Sequence, residues 1–402
     1  MALISVAQAL EQVLAHATQL PAEEIALEAA DGCVLAYDLE ALRTQPPADV
    51  SAMDGYAVRA ADVAGVPVRL KVIGEVPAGR PFGAAVGAGQ AARIFTGGVV
   101  PAGADTVVIQ EVTTRNGNVV EVQKPTAKGR NVRPKGLDFR AGEVLLRKGH
   151  RLTARDLALA AAMNHPLVPV HRRPKIALLA TGDELVPPGR EPGPGQIVYS
   201  NGFSLAALAR AEGAEVTDLG IVHDTLQATI TAIRDARDLP ADIVVTTGGA
   251  SVGDYDFVAR AFAKEGMDLS FWKVAMRPGR PLLHGRLDAM HVLGLPGNPV
   301  SSYVCACLFL VPLIRRMSGR TDLALPTESA VLGVDLPEND ERADYLRATL
   351  GAGSDGLIAT PFPVQDSSMM APLAKSNCLL IREPYAAAAK AGSRCMIVKF
   401  ER

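Results

Sequence analysis

A strand that ends in a glycine-rich turn is the segment of this sequence best suited to binding phosphate. Residues 242–253 read DIVVTTGGASVG, so a β-branched apolar run changes abruptly to glycines. Glycine lets the backbone adopt positive φ and approach a ligand closely, and exposed N–H groups before a helix favour anions. Asp254 and Asp256 follow directly, and carboxylates beside such a turn are typical of a metal-bound phosphate. The segment therefore predicts phosphoryl or pyrophosphate chemistry.

Further carboxylates follow other predicted strands. Asp183 and Glu184 come after IALLAT, and Asp224 comes after GIVH. Like charges at one edge of a sheet raise one another's pKa unless a cation offsets them. A hard cation is the simplest explanation, and Mg²⁺ shared with substrate phosphates fits carboxylate ligands. The alternative is that Asp183, Asp224 and Asp256 cap helices, which aspartate does well.

Cations are available for the same edge. The segment FWKVAMRPGRP contains Lys273, Arg277 and Arg280, and its prolines and glycine predict a rigid loop rather than a solvated charge run. Arginine forks match the oxygens of phosphate or another oxyanion in pairs. The segment LPGNPVSS resembles a helix entrance with Pro299 in the first turn and Ser301 and Ser302 able to donate to an anion. Simple helix capping is the alternative for this segment.

A second chemistry is possible at the same turn. Residues 249–253 match G-x-S-x-G between a strand and a helix, which is the context of a hydrolase nucleophile at Ser251. Asp288 and His291 are the later acid and histidine, although they lie only three residues apart. Cys305 and Cys307 occupy an apolar helical run, where free cysteine behaves as a small buried hydrophobe. The sequence shows no zinc-type spacing of histidines and no P-loop.

Alternating strands and helices position these residues. From Lys175 to about Met317, strand-like runs alternate with helical ones, which predicts a parallel sheet with helices on both faces. Ligands bind such sheets at the carboxyl ends of the strands, where every glycine-rich segment of this region falls. Residues 49–138 and the chain beyond Gly319 contain short β-runs separated by turns. Helices are predicted for residues 5–18, with Ser5 as N-cap, and for residues 152–162, capped by Thr153.

Composition limits the function classes. The chain has 402 residues, too many for one ordinary core, and a net charge of −2 that argues against binding nucleic acid by bulk electrostatics. The five cysteines show no C-x-x-C pair, so a disulfide framework is not expected. The N-terminus resembles an amphipathic helix rather than a signal peptide, and no apolar run reaches the roughly 18 residues of a membrane span. A cytoplasmic protein without membrane or nucleic-acid partners is expected.

Seven segments together resemble the molybdopterin molybdenumtransferase family, which also forms the E-domain of gephyrin-like proteins. They are SAMDGYAVR, RIFTGGVVPAGADTVVIQE, RPKGLDF, TGDEL, TTGGASVGDYD, PGRP and GLPGNPVSS, in order along nearly the whole chain. The resemblance implies a multidomain α/β plus β fold with a central doubly wound α/β domain of the molybdopterin-binding type. It implies four domains: an elongated segment (1–48 and 139–173), an inserted β-rich domain (49–138), the α/β domain (174–318) and a C-terminal β-barrel-like domain (319–402).

The resemblance also implies an activity and partners. Members insert molybdenum from molybdate into the dithiolene of adenylated molybdopterin and release AMP with Mg²⁺ present. They form homodimers with each active site at the subunit interface, and a molybdopterin adenylyltransferase is the expected upstream partner. A serine hydrolase that uses Ser251 and a non-catalytic pterin-binding scaffold remain alternatives.

Site residues are carried over by matching the family motifs. The catalytic group comprises Asp54, Thr96, Asp138, Glu184, Asp224, Asp256 and Lys273, of which Glu184, Asp224 and Asp256 would hold the metal. The group that binds the pterin nucleotide comprises Thr181, Gly182, Gly248, Gly249, Ser251, Gly253, Pro296 and Pro299. The molybdate group comprises Arg277, Arg280, Ser301, Arg347 and Ser367.

The chain departs from the family pattern in one loop. It has RPGRP where the family usually shows KPGKP. Arginine keeps the charge and adds a bidentate fork, but its bulk could shift the fit of the oxyanion. Molybdate and tungstate are both tetrahedral dianions of similar size, so the sequence does not distinguish them.

Overall fold

The computed structural model describes residues 3–248, 257–353 and 356–400. The chain begins with helix α1 (Val6–Ala15) and the short strands β1 (Ala22–Ala26) and β2 (Leu39–Glu40). As predicted, Ser5 caps α1: its Oγ accepts from Gln8 N at 3.2 Å, and Gln8 Oε1 accepts from Ser5 N at 3.0 Å. This reciprocal pair satisfies two backbone donors at the helix N-terminus. Ala9 and Val13 then turn one face of α1 into the core.

A β-rich unit follows. Its strands are β3 (Val50–Ser51), β4 (Gly55–Val58), β5 (Val68–Val76), β6 (Gln90–Ile94), β7 (Thr106–Ile109), β8 (Thr113–Asn116), β9 (Val119–Val122) and β10 (Val132–Arg133). Six of them form one sheet in the order β7-β4-β6-β5-β9-β8, while β3 pairs with β10. The predicted β-runs are therefore strands, and alternate residues of this sheet pack into two small cores. Short 3₁₀ turns lie at Leu27–Ala29, Ala60–Val63 and Gln110–Val112.

The chain then returns to its starting segment. The elements are β11 (Val144–Leu146), helix α2 (Ala154–Ala162) and β12 (Leu167–His171). Strand β12 pairs antiparallel with β1, and β11 pairs with β2, so residues on both sides of the β-rich unit share one core. Thr153 caps α2 as predicted, with its hydroxyl and backbone N–H both donating to Asp156 Oδ2.

The central unit carries the site. Its elements are β13 (Lys175–Thr181), β14 (Leu185–Val186), β15 (Ile197–Val198), α3 (Asn201–Ala211), β16 (Glu215–Val222), α4 (Leu226–Asp238), β17 (Ile243–Thr247), α5 (Phe257–Lys264), β18 (Asp268–Lys273), β19 (Met276–Arg277), β20 (Pro281–Leu287), β21 (Met290–Leu295), α6 (Pro299–Cys305), a π-helical turn (Ala306–Leu310) and α7 (Val311–Met317). The sheet order is β16-β13-β17-β21-β20-β18. Alternate residues of β13 face opposite layers: Ile176 and Leu178 pack with α3, α6 and α7, and Ala177 and Leu179 with α4 and α5. The doubly wound architecture is confirmed.

The predicted parallel strands are confirmed, and the sheet has an additional antiparallel edge that was not predicted. Strands β16, β13, β17 and β21 are parallel, but β20 is antiparallel to both β21 and β18. Only Asp288 and Ala289 connect β20 to β21, and a two-residue connection permits a hairpin but no crossover. Asp288 takes the positive φ of 57° that this turn requires. Lys273 and Arg277 were expected in a loop, but they lie in strands β18 and β19.

The last unit is a closed barrel. Its elements are β22 (Thr327–Leu332), β23 (Ala343–Gly353), β24 (Gly356–Pro361), α8 (Met370–Lys375), β25 (Cys378–Arg382) and β26 (Arg394–Lys399). The order β23-β24-β22-β26-β25 closes because β25 also pairs with β23. Strand β19 of the central unit pairs in parallel with β23 and so attaches the barrel. The expected β-barrel-like domain is confirmed.

Helix Pro299–Met317 is a core element. Its length of 19 residues and mean hydropathy of 1.5 would suffice to cross a membrane, but 83% of it is buried inside the protein. Cys305 and Cys307 lie in its buried part, as predicted, and all five cysteines are free. No disulfide therefore stabilises the fold.

Two buried histidines should make stability depend on pH. His284 on β20 and His291 on β21 are almost fully buried, with Nε2 and Nδ1 3.5 Å apart. Burial lowers the pKa of His284 to about 3 and that of His291 to about 4. Unfolded histidine titrates near pH 6.5, so only the unfolded chain gains protons as pH falls from about 6.5 to about 4. We expect the free energy of unfolding to decrease by at least about 2 kcal/mol across that window.

Urea unfolding at pH 7, 6 and 5 measures this decrease. The variant His291→Gln removes one of the two imidazoles, so its unfolding free energy should change with pH by about half as much. An unfolding free energy that stays constant between pH 7 and pH 5 would contradict the assignment of these histidines.

Candidate functional site

A cleft of about 410 Å³ lies at the carboxyl ends of β13 and β17. Open α/β sheets bind ligands at this edge, outside the carboxyl ends of the strands. The cleft brings together residues from five segments of the chain: Thr181, Glu184 and Leu185; Ile197, Val198, Tyr199, Ser200 and Asn201; Thr247 and Gly248; Gly297, Asn298 and Pro299; Ser368 and Met370. Four of the predicted site residues therefore line one cavity: Thr181, Glu184, Gly248 and Pro299.

Glycines allow the close approach of the strand ends. Gly248 has φ of +87°, and a Cβ there would lie 2.4 Å from the Thr181 carbonyl oxygen. Gly182 has φ of +151°, and a Cβ there would lie 2.7 Å from the carboxylate oxygens of Glu184. At Gly248 both the conformation and the Thr181 backbone exclude a side chain, whereas at Gly182 the positive φ disfavours one. Glu184 consequently folds back over the end of β13.

Thr181 offers an unused hydroxyl to the cleft. Its Oγ1 is buried and has no hydrogen-bond partner among residues 3–248, 257–353 and 356–400. A buried hydroxyl without a partner is destabilising, and it becomes favourable once a ligand supplies the missing hydrogen bond. Thr181 is therefore suited to donate to a ligand oxygen.

Three carboxylates lie beside the cleft. Asp183 Oδ1 accepts from Asp224 N and contacts His223 Nδ1, both at 3.2 Å, and the Asp224 N–H is the main reason for the lowered pKa of Asp183. Burial raises the pKa of Asp224, and the charges of Asp183 and Glu184 raise it further. Thr225, rather than Asp224, caps α4 by accepting from Ala228 N. The capping alternative for Asp224 does not describe this structure.

The chemistry of this cluster fits a hard cation. Asp224 Oδ1 is buried without a partner in the described part of the chain, and two neighbouring carboxylates oppose its ionisation. A divalent cation would satisfy that oxygen and offset the repulsion. Within the described residues, no three acidic, histidine or cysteine side chains converge closely enough to form a complete metal site. Asp256, the third expected ligand, lies outside the described residues, as do Gly249, Ser251, Gly253 and Asp254.

The N-terminus of α6 forms another wall. Pro299 occupies its first turn, as predicted, and Pro296 is buried at the end of β21. Asn298 donates from Nδ2 to Ser367 Oγ at 2.8 Å, and Val300 N donates to the Ser367 carbonyl at 3.0 Å. Ser367 of the last unit is thereby held against the helix that carries Ser301. Ser301 itself is 5% exposed.

Arg347 fixes the segment that contains Ser367. It is 1% exposed, and its guanidinium donates to the carbonyls of Met369 and Asp366 at 2.9 Å and to that of Val364 at 3.4 Å. Burial lowers its pKa. These contacts place Arg347 beneath residues 364–369, where it organises the segment that faces α6.

The remaining cations differ in their surroundings. Arg277 donates to Asp340 at 3.3 Å and to Asn339 at 3.2 Å, and it also pairs with Asp344. Arg280 is exposed, and its side chain has no partner in the described part of the chain. Lys273 is partly exposed on β18. Arg277 and Ser367 lie where the central unit meets the barrel, and the arginines of the molybdate group differ in their freedom to bind an anion.

The β-rich unit contributes a separate cluster. Asp54 Oδ1 accepts from both the backbone N–H and the hydroxyl of Thr96 at 2.8 Å, and these bonds lower the pKa of Asp54. Asp138 is exposed, and its backbone N–H donates to the Gln45 carbonyl. None of the three lines the cleft within the same chain, as far as the described residues show. Asp54 lies directly before β4 and Thr96 lies just after β6, and because these neighbouring strands are antiparallel the two residues meet at one end of the sheet.

Several cleft residues were missed from the sequence. They are Tyr199, Ser200, Asn201, Asn298, Ser368 and Met370. Asn201 Nδ2 donates to the Gly297 carbonyl at 2.7 Å, which joins the start of α3 to the α6 entrance. Ile197 and Val198 are 56% and 43% exposed, so the cleft also has an apolar wall. The sequence signal for this part of the cleft was the apolar pair Ile197 and Val198, which lies between the Gly-Pro-rich segment 191–195 and the polar residues 200–201.

The hydrolase alternative finds no support in the described residues. Asp288 pairs with Arg237, and His291 is 1% exposed against His284. Neither lines the cleft at the end of β17. The partners that a nucleophilic Ser251 would need are thus engaged elsewhere.

Comparisons with known proteins cover almost the whole chain. Three family models match: "MoeA N-terminal region (domain I and II)" over residues 4–164, "Probable molybdopterin binding domain" over residues 177–316, and "MoeA C-terminal region (domain IV)" over residues 329–400. A molybdopterin molybdenumtransferase from Haemophilus influenzae is 35% identical over 384 residues, which is 94% of either chain. One from Nostoc is 43% identical over 309 residues, 75% of this chain and 71% of that protein.

A solved structure has the same fold. The molybdopterin biosynthesis MoeA protein from Pyrococcus horikoshii superimposes with a TM-score of 0.84 and 31% identity, and all of both chains is covered. A molybdenum cofactor biosynthesis protein from Pyrococcus furiosus, 20% identical, shares the fold with a TM-score of 0.61.

Proposed function

Because this chain belongs to the molybdopterin molybdenumtransferase family, we propose that it inserts molybdenum from molybdate into the dithiolene of adenylated molybdopterin and releases AMP in a Mg²⁺-dependent step. The observation that carries this proposal is a buried Asp224 oxygen that has no partner among the described residues and lies beside Glu184 at a glycine-opened cleft. A buried carboxylate oxygen is usually satisfied by a hydrogen bond or a cation, and the charges of Asp183 and Glu184 oppose the ionisation of this one. This one is arranged for a cation that arrives with a phosphate.

The cleft has separate surfaces for the parts of such a nucleotide. Strand ends at Thr181 and Gly248 let phosphate oxygens approach the backbone, and Thr181 donates its free hydroxyl. Ile197, Val198 and Met370 offer apolar contact to a flat heteroaromatic ring. Glu184 and Asp224, with Asp256, would hold Mg²⁺, which when bound neutralises charge on phosphate. Asp183 holds the loop that carries Asp224, because its carboxylate accepts a hydrogen bond from the Asp224 backbone N–H.

The protein's own cysteines do not supply the sulfur ligands. Cys305 and Cys307 are buried in the core, and burial raises the pKa of both thiols, that of Cys307 to about 12. Thiols that stay protonated do not bind metal ions well. The dithiolene of the substrate is therefore the acceptor of molybdenum in this proposal.

A homodimer accounts for the cluster in the β-rich unit. Asp54, Thr96 and Asp138 match family motifs, yet they do not line the cleft of their own chain. In a dimer with the site at the subunit interface, the partner would bring these residues to the cleft. A mixed dimer of Asp54→Ala and Glu184→Leu chains would then recover one intact site out of two, whereas either homodimer would have none.

One assay tests the proposed function. Protein is incubated with adenylated molybdopterin, Mg²⁺ and molybdate, and AMP and metal-loaded pterin are measured. The variant Glu184→Leu should stay folded but release little AMP. Normal AMP release by Glu184→Leu would remove Glu184 from the site. Binding of adenylated molybdopterin without any AMP release by the unmodified protein would indicate a scaffold, and ester turnover abolished by Ser251→Ala would indicate a hydrolase.

A further inference from the structure

Tyr199 belongs to the segment that follows Glu184. It lines the cleft, is 6% exposed, and comes directly after strand β15. Its backbone N–H donates to the Val186 carbonyl, and that of Ile197 donates to the Glu184 carbonyl, both at 2.8 Å. These bonds hold β15 against β14, which begins at the residue after Glu184. A contact that fixes Tyr199 therefore also restrains Glu184.

The Tyr199 hydroxyl reaches the neighbouring strand β16. It lies 3.4 and 3.5 Å from the two carboxylate oxygens of Asp218. Burial raises the pKa of Tyr199, and the charge of Asp218 raises it further, so the hydroxyl stays protonated and donates. The end of the ring lies against Gly202 in the first turn of α3, where a Cβ would overlap the hydroxyl. The glycine leaves the space that this contact needs.

Asp218 also holds a bulge in β16. After Asp218, two residues of β16 lie opposite one residue of β13. At the bulge, Gly220 has φ of +78° and its N–H donates to Asp218 Oδ1 at 2.8 Å. A bulge bends its strand and shifts the register, and a shift of one residue turns later side chains to the other face. The bulge therefore contributes to the placement of Asp224, two residues beyond the end of β16.

These contacts act against a repulsion. The charges of Asp183 and Glu184 oppose the ionisation of Asp224, so the loops that carry these acids repel one another when no cation is bound. Between the two loops, the Asp224 backbone N–H donates to Asp183 at 3.2 Å. The contact between Tyr199 and Asp218 adds a second connection nearer to the sheet. Holding the acids in place before the cation arrives lowers the cost of binding it.

We propose that Tyr199 and Asp218 are positioning residues that fix the spacing between Glu184 and Asp224 for a divalent cation. This inference rests on the proposed function in taking Glu184 and Asp224 as metal ligands. Asp218 is exposed, so water screens its charge, and it acts through the hydrogen bonds that it accepts. Tyr199 acts through Asp218. Neither side chain contacts the metal.

Binding of Mn²⁺ to the full-length protein tests this role. Mn²⁺ prefers the same oxygen ligands as Mg²⁺, and electron paramagnetic resonance measures the free ion. Asp218→Ala removes the acceptor of both hydrogen bonds and should raise the dissociation constant for Mn²⁺ at least about fivefold, whereas Tyr199→Phe removes one bond and should raise it about threefold. Asp218→Asn keeps an accepting oxygen and should bind within about twofold of the unmodified protein. If Asp218→Asn bound as weakly as Asp218→Ala, the charge of Asp218 would matter and the positioning role would be wrong.

Two further variants separate positioning from stability. Tyr345→Phe is the control, because Tyr345 is also buried, at 7% exposed, but lies on β23 of the barrel and does not line the cleft. It should bind Mn²⁺ normally. The double variant Tyr199→Phe/Asp218→Ala should bind Mn²⁺ as weakly as Asp218→Ala alone, since one side chain acts through the other. A lower unfolding temperature in Tyr199→Phe with an unchanged dissociation constant would reveal a merely structural contact and overturn the inference.

AMP release provides a second readout. Tyr199→Phe should raise the Mg²⁺ concentration for half-maximal release about threefold and change the maximal rate by less than about twofold, because the metal site forms fully once Mg²⁺ saturates it. If the unmodified protein bound no Mn²⁺, the metal-dependent step of the proposed function would fail together with this inference. Equal Mn²⁺ binding by the unmodified protein and by every variant would overturn this inference alone.

Discussion

Replacement of Asp224 with asparagine should reduce Mg²⁺-dependent AMP release by about a hundredfold or more, since a metal contributes several kcal/mol to such a step. Asparagine has nearly the same shape but lacks the negative charge that a hard cation requires. The Asp224 carboxylate has a buried oxygen without a partner in the part of the chain that the structure describes, and two carboxylates are its neighbours. Its loss would remove the group best placed to attract Mg²⁺ to the cleft.

The same replacement should not destabilise the protein. The pKa of Asp224 is raised in the folded state, so its carboxyl group ionises more readily in the unfolded chain. As pH rises above the unfolded pKa near 3.9, this difference lowers the free energy of unfolding until pH also exceeds the folded pKa. At pH 7 without Mg²⁺, Asp224→Asn removes this unfavourable charge, and the unfolding temperature should rise slightly. Adding Mg²⁺ should raise the unfolding temperature of the unmodified protein but not that of the variant.

AMP release and thermal unfolding, each with and without Mg²⁺, measure the two effects. Asp288→Asn is a matched control: the same chemical change at an exposed turn, where asparagine also tolerates the φ of 57°. The control should retain normal AMP release. A loss of activity in Asp224→Asn that accompanies a lower unfolding temperature would instead indicate a structural role for Asp224.

Replacement of Glu212 with alanine should lower the free energy of unfolding by about 3–5 kcal/mol, because it removes the buried carboxylate that two buried arginines contact. Glu212 ends α3 and is 6% exposed. It accepts from Arg315 Nε and Nη2 at 2.8 Å and from Arg320 Nη1 at 3.0 Å. Both arginines are also largely buried.

The Glu212 cluster connects two units of the fold. Arg315 on α7 also donates to the carbonyls of Asp322 and Ala324, which lie in the link to β22 of the barrel. Removing Glu212 should therefore destabilise both the C-terminal end of α3 and the segment that connects α7 to β22 of the barrel. Chemical unfolding followed by circular dichroism measures the loss.

An exposed ion pair serves as the control for Glu212. Glu121 accepts from Arg69 at 2.7 Å, but the Arg69 side chain is 78% exposed. Glu121→Ala should change the free energy of unfolding by less than about 1 kcal/mol, because water screens such a pair. Similar losses in the two variants would show that burial does not set the strength of the Glu212 cluster.

Periodicity and capping predicted most elements of this fold. Ser5 and Thr153 cap the helices expected after them, and β-branched runs such as IVVTT form the buried parallel strands. These features depend on neighbours a few residues apart, so local sequence contains them. The antiparallel edge was missed because the segments that form β18 and β20 were not identified as strands from the sequence. Only the short connection at Asp288 shows the hairpin.

For the site, the sequence determined which chemical groups are present: glycines after strands, acids beside them, and cations and serines in later segments. Strand ends gather at one edge of any parallel sheet, so the meeting of Thr181, Glu184 and Gly248 followed from local pattern. Tertiary structure alone decided which groups remain free to bind. Arg277 and Arg347 have the same charge as Arg280, yet carboxylates and carbonyls brought from distant segments occupy them. Whether a charge is available depends on its burial and partners, and these are set by contacts between units that lie far apart in the sequence.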